Sequence, residues 1–250
     1  MNKLDFLKIL KAIEENQLMF FRSSDLAAMF DVETKSLQNY LETLANNELI
    51  HRIEKGKYCR TYLKDKWVLG SNLVSGGVIS YNTALVHHGL IPDISREVFV
   101  LSDHQKSNKT VFGYNFRFIK IRSKKYFGFI DEENDYGKFR VTDPEKTILD
   151  CFDLPQYTTD YSNLVSIFGG MTLDEDKLLN YGIRMGNLSV LKRLGFLSDR
   201  LNLTGLNTFR KRVTSMLNEK YTLLNPSGPD SGPFCTKWRI RNNMIGSQSS

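Results

Sequence analysis

The sequence predicts an α+β fold, and three patterns predict it. Residues 3–46 place apolar side chains at helical spacing and are followed by a strand–turn–strand pattern. From about residue 76 to 155, β-branched and aromatic runs alternate with polar turns, which reads as a small, mostly antiparallel sheet. From about residue 156 to 245 helical spacing returns.

Leu4, Leu7, Ile9, Leu10 and Ile13 form one face of a first helix over residues 3–15. Gln17–Phe21 is an apolar link able to pair as a strand. Ser23 and Ser24 offer N-cap oxygens for a short helix over Asp25–Phe30. Asp31-Val32-Glu33 makes a turn. Thr34 to about Asn46 is a third helix, with Leu37, Tyr40, Leu41 and Leu44 on one side. Residues 50–63 give two strands around Lys55-Gly56-Lys57, where Gly56 supplies the positive φ of a tight turn.

Helix, helix, turn, helix, hairpin is the order of a winged helix-turn-helix, placed at residues 1–70. In that motif the second helix of the turn lies in the DNA major groove with its first residues on base edges. The positions facing out there are Thr34, Lys35, Ser36, Gln38 and Asn39. Gln and Asn bond adenine in bidentate fashion, and Lys bonds guanine or phosphate. The wing adds Arg52, Lys55, Lys57 and Arg60, suited to phosphate or the minor groove. Residues 34–60 hold five basic residues against three acidic ones.

Residues 64–75 read as a linker into a second domain over 71–245. After Gly76-Gly77 a helix starts near Ser80 and is capped by Gly89. His87 and His88 point about 100° apart on that helix, so one packs, one faces solvent, and they do not hold one ion together. Strands are expected at Glu97–Leu101, Asn115–Ile121, Tyr126–Ile130 and Lys138–Val141. Thr142 and Glu145 have capping-box spacing, and Asp143-Pro144 suits an N-cap followed by N1. Helix initiation accounts for the carboxylates of Asp143, Glu145 and Asp150 without acid–base chemistry.

Bulk properties narrow the function. The 250 residues are 41% hydrophobic and 25% charged, an ordinary globular balance. No stretch approaches the roughly 20 apolar residues of a membrane helix. Charges run through MNKLDFLKILKAIEEN, so a secretory signal is not expected and the reading is a cytoplasmic protein. Cys59, Cys151 and Cys235 form no C-x-x-C pair, and four His leave few metal ligands. With no Gly-rich phosphate loop and no Ser-His-Asp arrangement, neither a cofactor nor catalysis is expected. The net charge of +6 is uneven. Residues 1–70 hold 11 Lys/Arg against 10 Asp/Glu, residues 71–180 hold 12 against 15, and residues 181–250 hold 11 against 3. An acidic partner, nucleic acid above all, suits that basic end.

The order of segments resembles the AbiE-type (type IV toxin–antitoxin) abortive-infection antitoxins and transcriptional regulators. The N-terminal unit resembles their winged helix. Val78–Leu90, reading VISYNTALVHHGL, and Val141–Asp150, reading VTDPEKTILD, resemble their later motifs. The resemblance runs over roughly residues 5–155. It implies a repressor that binds repeats in its own promoter as double-stranded DNA. It also implies a nucleotidyltransferase-like toxin as functional partner, counteracted often without a stable complex, through about residues 76–241. The chain does not itself resemble such a toxin, which needs a Gly-Ser turn followed by spaced Asp residues for magnesium. Gly70-Ser71 has no Asp-x-Asp pair shortly after it.

At the C-terminal end, helices are expected at Tyr161–Phe168, Asp174–Met185, Ser189–Leu197 and Leu206–Asn218. Trp238–Arg241 alternates like an edge strand. Lys192, Arg193, Arg200, Arg210, Lys211, Arg212, Lys237, Arg239 and Arg241 are candidates for one basic partner surface. Residues 246–250 are expected to be disordered. Two other readings are a stand-alone winged-helix regulator with a ligand- or protein-sensing C-terminal domain, and an enzyme with a winged-helix appendage.

Overall fold

The structure is a computed structural model and describes residues 5–244. Leu4 and residues 246–250 lie outside the described residues.

The N-terminal unit has the element order expected from the sequence. Helix α1 (Phe6–Glu15) starts at Asp5, whose carboxylate accepts from Lys8 N at 2.9 Å. Strand β1 (Phe20–Arg22) leads into α2 (Ser23–Phe30). Neither Ser23 nor Ser24 caps α2, because both lie inside it; the Asp25 carboxylate instead accepts from Arg22 N at 2.8 Å. Asp31 takes the left-handed conformation (φ 49°), and Val32 N–H reaches back to Ala27 O at 3.0 Å. This reversal sets α3 (Thr34–Asn46) across α2. β2 (Ile50–Glu54) and β3 (Lys57–Arg60) form the hairpin, and β1 adds to β3 in an antiparallel three-stranded sheet. Leu26, Leu37 and Leu41 are fully buried among Ile9, Phe21 and Tyr58. Each such side chain contributes about 1.5–3 kcal/mol.

Adjacent residues of β3 point to opposite faces. Tyr58 packs into the three-helix core, while Cys59 joins a second core with Ile53, Leu63, Val68, Leu69 and Phe116. The hairpin therefore belongs to two cores, and no open linker follows it. The expected linker at residues 64–75 is instead mostly helix α4 (Lys66–Leu73), capped by Asp65, and residue 70 lies inside it. Gly70 serves close packing there, since a Cβ would fall 2.7 Å from Ile79 Cδ1.

The central sheet is larger and less regular than expected. It has six strands in the order β6-β7-β5-β4-β9-β8, with three antiparallel and two parallel pairings. The strands are β4 (Val78–Ile79), β5 (Glu97–Ser102), β6 (Lys109–Val111), β7 (Tyr114–Lys120), β8 (Phe129–Asn134) and β9 (Gly137–Thr142). β5 runs parallel to β7 and β4 parallel to β9, with the other pairs antiparallel. One face carries α4 and the hairpin. The other carries α5 (Tyr81–His87), α6 (Pro144–Asp153), α7 (Tyr161–Gly170), α8 (Glu175–Met185), α9 (Leu188–Arg200) and α10 (Asn207–Ser215). A small sheet of β10 (Thr222–Leu223), β12 (Ile240–Arg241) and β11 (Phe234–Cys235) closes the described chain. No helix among the described residues is long and apolar enough to cross a membrane.

Candidate nucleic-acid interface

The apolar side of α3 is committed to the core through Leu37, Leu41 and Leu44, which leaves Thr34, Lys35, Ser36, Gln38 and Asn39 exposed on the other side. The hairpin tip is held beside this face. Ser23 N–H donates to Gly56 O at 2.9 Å, and Gly56 has φ +72°. Thr34, Lys35 and Gln38 from α3 meet Arg52, Lys55 and Gly56 from the hairpin around one cleft of about 210 Å³, floored by Ser23 and Tyr58. Glu42 organises its wall: it accepts from Gln38 Nε2 at 3.1 Å and pairs with Arg52 Nη1 at 3.6 Å. Lys35 and Lys55 have no carboxylate partner among the described residues.

Five of the nine expected contact residues thus share one cleft, with Ser36 and Asn39 exposed beyond it on α3. Lys57 and Arg60 do not join them. Both lie on β3 but on opposite faces: Lys57 shares the Cys59 face, toward α4, and Arg60 the Tyr58 face, where it reaches α1. Lys57 Nζ donates to Leu73 O at 2.7 Å and pairs with Glu54 at 3.4 Å. Arg60 Nη2 donates to Ile13 O at 3.0 Å and Nη1 to Tyr62 OH at 2.5 Å. They fasten the hairpin to α4 and α1. Ser23 was read from the sequence only as a helix cap and Glu42 was not singled out; the signal for Glu42 was its place one turn after Gln38.

The expected C-terminal basic surface separates into parts. Lys192 and Arg193 are buried, contrary to expectation. Lys192 Nζ donates to Asn218 Oδ1 at 2.7 Å, and Arg193 Nε to Leu223 O at 3.0 Å, so both satisfy carbonyls of the last segment. Arg210 Nη1 donates to Ser198 O and Leu203 O, each at 2.9 Å, closing the turn after α9. Arg200, Lys211 and Arg212 are exposed. Lys237 pairs with Asp199 at 2.6 Å, Arg241 lies on β12 of the small C-terminal sheet, and Arg239 lies in the turn just before it.

The two later segments that carry the family resemblance meet in space. Ser80 Oγ, at the start of α5, donates to Asp150 Oδ2 of α6 at 3.1 Å. His88 Nε2 lies 2.8 Å from Thr142 O. Both histidines are half-buried, which corrects the expectation that one faces solvent; burial, then the neighbouring His88, lowers the pKa of His87. Asp143 is the N-cap of α6, accepting from Lys146 N at 2.9 Å with Pro144 after it. Glu145 does not complete a capping box. Its carboxylate accepts from Asp174 N at 2.9 Å and pairs with Lys177 at 2.9 Å, tying α6 to α8.

No family model and no curated protein matches this chain. Among solved structures, the fold is similar to the crystal structure of the RV2827C protein from Mycobacterium tuberculosis. The TM-score is 0.60 at 11% identity, over 93% of this chain and 89% of that one. At that identity the likeness is one of fold.

Proposed function

We propose that this protein is a winged helix-turn-helix DNA-binding antitoxin that represses its own operon, without catalysis of its own. One observation carries the DNA half: residues from the start of α3 and from the hairpin tip, far apart in sequence, converge on one cation-bearing cleft. An α3 of 13 residues is about 20 Å long, enough to lie in a major groove while the tip reaches phosphate. The toxin half rests on the resemblance of Val78–Leu90 and Val141–Asp150 to the AbiE-type antitoxins. The partners on this reading are promoter DNA and a nucleotidyltransferase-like toxin, in the cytoplasm.

The test is a gel shift on DNA upstream of the protein's own gene, at two salt concentrations, beside Lys35→Ala and Gln38→Ala. Salt-sensitive binding that both variants lose supports the reading. Absence of binding removes the repressor half and leaves only co-expression rescue from a neighbouring gene product to examine.

A further inference from the structure

We propose that the small C-terminal sheet is a second nucleic-acid site, separate from α3 and the hairpin, that takes the unpaired bases of a single strand. Its centre is β12, flanked by β10 in parallel and β11 in antiparallel register. Phe234 lies directly opposite Arg241, and opposed residues share a face. The Arg241 guanidinium sits 5.0 Å from the Phe234 ring centre. Tyr221 meets Phe234 edge to face at 4.8 Å, and the Arg239 guanidinium lies 5.6 Å from the Tyr221 ring. The result is a row of arginine, tyrosine, phenylalanine, arginine on the protein surface.

Several features set this row apart from a patch of stray apolar residues. Phe234 is 58% exposed and Tyr221 40%, although each has a ring neighbour to pack against. Their support is rigid: Ile240 and Trp238 beneath are fully buried, and Trp238 Nε1 donates to Asp199 at 3.0 Å. Arg239 takes a left-handed conformation (φ 52°), an unfavourable one for a long side chain, while reaching Tyr221. Residues 218–244 carry Lys220, Lys237, Arg239 and Arg241 against Glu219 and Asp230. Asp230 is occupied in holding Arg241 at 2.5 Å.

Exposed rings interleaved with guanidinium groups match what single strands offer. Each base presents a π face to a ring, and each intervening phosphate accepts from an arginine. A duplex turns its base faces inward and offers only phosphate to such a row, so the rings select unpaired nucleotides. RNA and DNA single strands share this chemistry.

The experiment measures fluorescence anisotropy of labelled oligouridylate, oligothymidylate and a mixed-sequence duplex with the full chain at low salt. Both single strands, or the RNA alone, are expected to bind. Tyr221→Leu and Phe234→Leu keep apolar bulk but lose the ring, and each should weaken single-strand binding about five-fold or more. Phe234→Trp should retain it. Gln38→Ala should leave single-strand binding unchanged, which separates this site from the promoter-reading one. No single-strand binding by the wild type overturns the proposal. So do leucine variants that bind like the wild type, or an equal loss on duplex. Thermal midpoints check folding, and if a leucine variant unfolds, Arg239→Gln decides instead: unchanged single-strand binding overturns the proposal.

Discussion

Lys146 and Asp150 stand one helical turn apart on α6 and form an ion pair shut away from solvent, with Ser80 donating to the second carboxylate oxygen. Both side chains are almost wholly buried. Such a pair adds little net stability, yet losing one partner leaves an uncompensated charge. Lys146→Met should therefore cost about 3–5 kcal/mol, while Lys146→Met with Asp150→Asn should recover most of that loss. Burial, despite Lys146 and Ser80, already raises the pKa of Asp150. Without Lys146 the folded pKa rises further, so the neutral acid is favoured. The variant should be least impaired below the ordinary carboxylate pKa and lose stability as pH rises through the raised one. Urea unfolding from pH 4 to 8 reads this; a single variant as stable as wild type throughout would show the pair idle.

Gly195 in α9 is where Trp238 lies flat against the helix. A Cβ there would come within 2.1 Å of Trp238 Cζ3. Gly195→Ala should cost about 1–3 kcal/mol or more by overpacking, and should release the small C-terminal sheet with it. Gly170, at the end of α7, has nothing within 4 Å of a built Cβ. Gly170→Ala should be neutral or gain about 0.4–1 kcal/mol. Thermal melts of the two variants side by side test the contrast.

Buried periodicity was legible in the sequence, and edges and helix-to-strand assembly were not. Leu37, Leu41 and Leu44 marked α3 because its polar side is free. α4 was read as linker because it is buried on nearly all sides, so Lys66-Trp67-Val68-Leu69-Gly70 shows no polar stripe. β8, reading FIDEEN, is a sheet-edge strand whose charges discourage further pairing, and those charges disguised it as a turn. The cleft was legible residue by residue on α3 and the tip. It was not legible on β3, where Lys57 and Arg60 leave opposite faces of the strand and are taken up by carbonyls of α4 and α1 that are distant in sequence. Lys192 and Arg193 looked like surface cations because nothing local announces carbonyls from residues 218–223.

Glu54 binds the hairpin to the loop before β6. It pairs with Lys106 at 2.6 Å, Lys57 at 3.4 Å and Lys109 at 3.7 Å. Burial alone would raise its pKa, but the Lys106 hydrogen bond and the three charges outweigh it, and the pKa is lowered. A depressed carboxylate contributes stability above its unfolded pKa, near 4.3, and loses it as pH falls through the folded value. Wild type should therefore lose more stability than Glu54→Gln between pH 5 and pH 3. Equal urea midpoint shifts for the two proteins over that window would show that the cluster adds nothing.

The hairpin carries two kinds of cation, one exposed at the tip and one tied to backbone carbonyls, and DNA binding should separate them too. Lys35 and Gln38 face the cleft from α3, so alanine there should cost about 1–3 kcal/mol of binding and relax base preference at the contacted position. Lys55 at the tip is exposed and suits phosphate; Lys55→Ala should weaken binding evenly across sequences and reduce the salt slope by about 1. Lys57→Ala and Arg60→Ala should behave otherwise. Each removes a side chain that donates to a backbone carbonyl, Leu73 O or Ile13 O, and so should lower the thermal midpoint while leaving the salt slope of the folded protein unchanged. Gel shifts over a salt series, run with melts of the same five variants, distinguish the sets. A salt slope that falls in Lys57→Ala as much as in Lys55→Ala would mean that β3 reaches DNA after all, and that its cations leave the carbonyls when the duplex arrives.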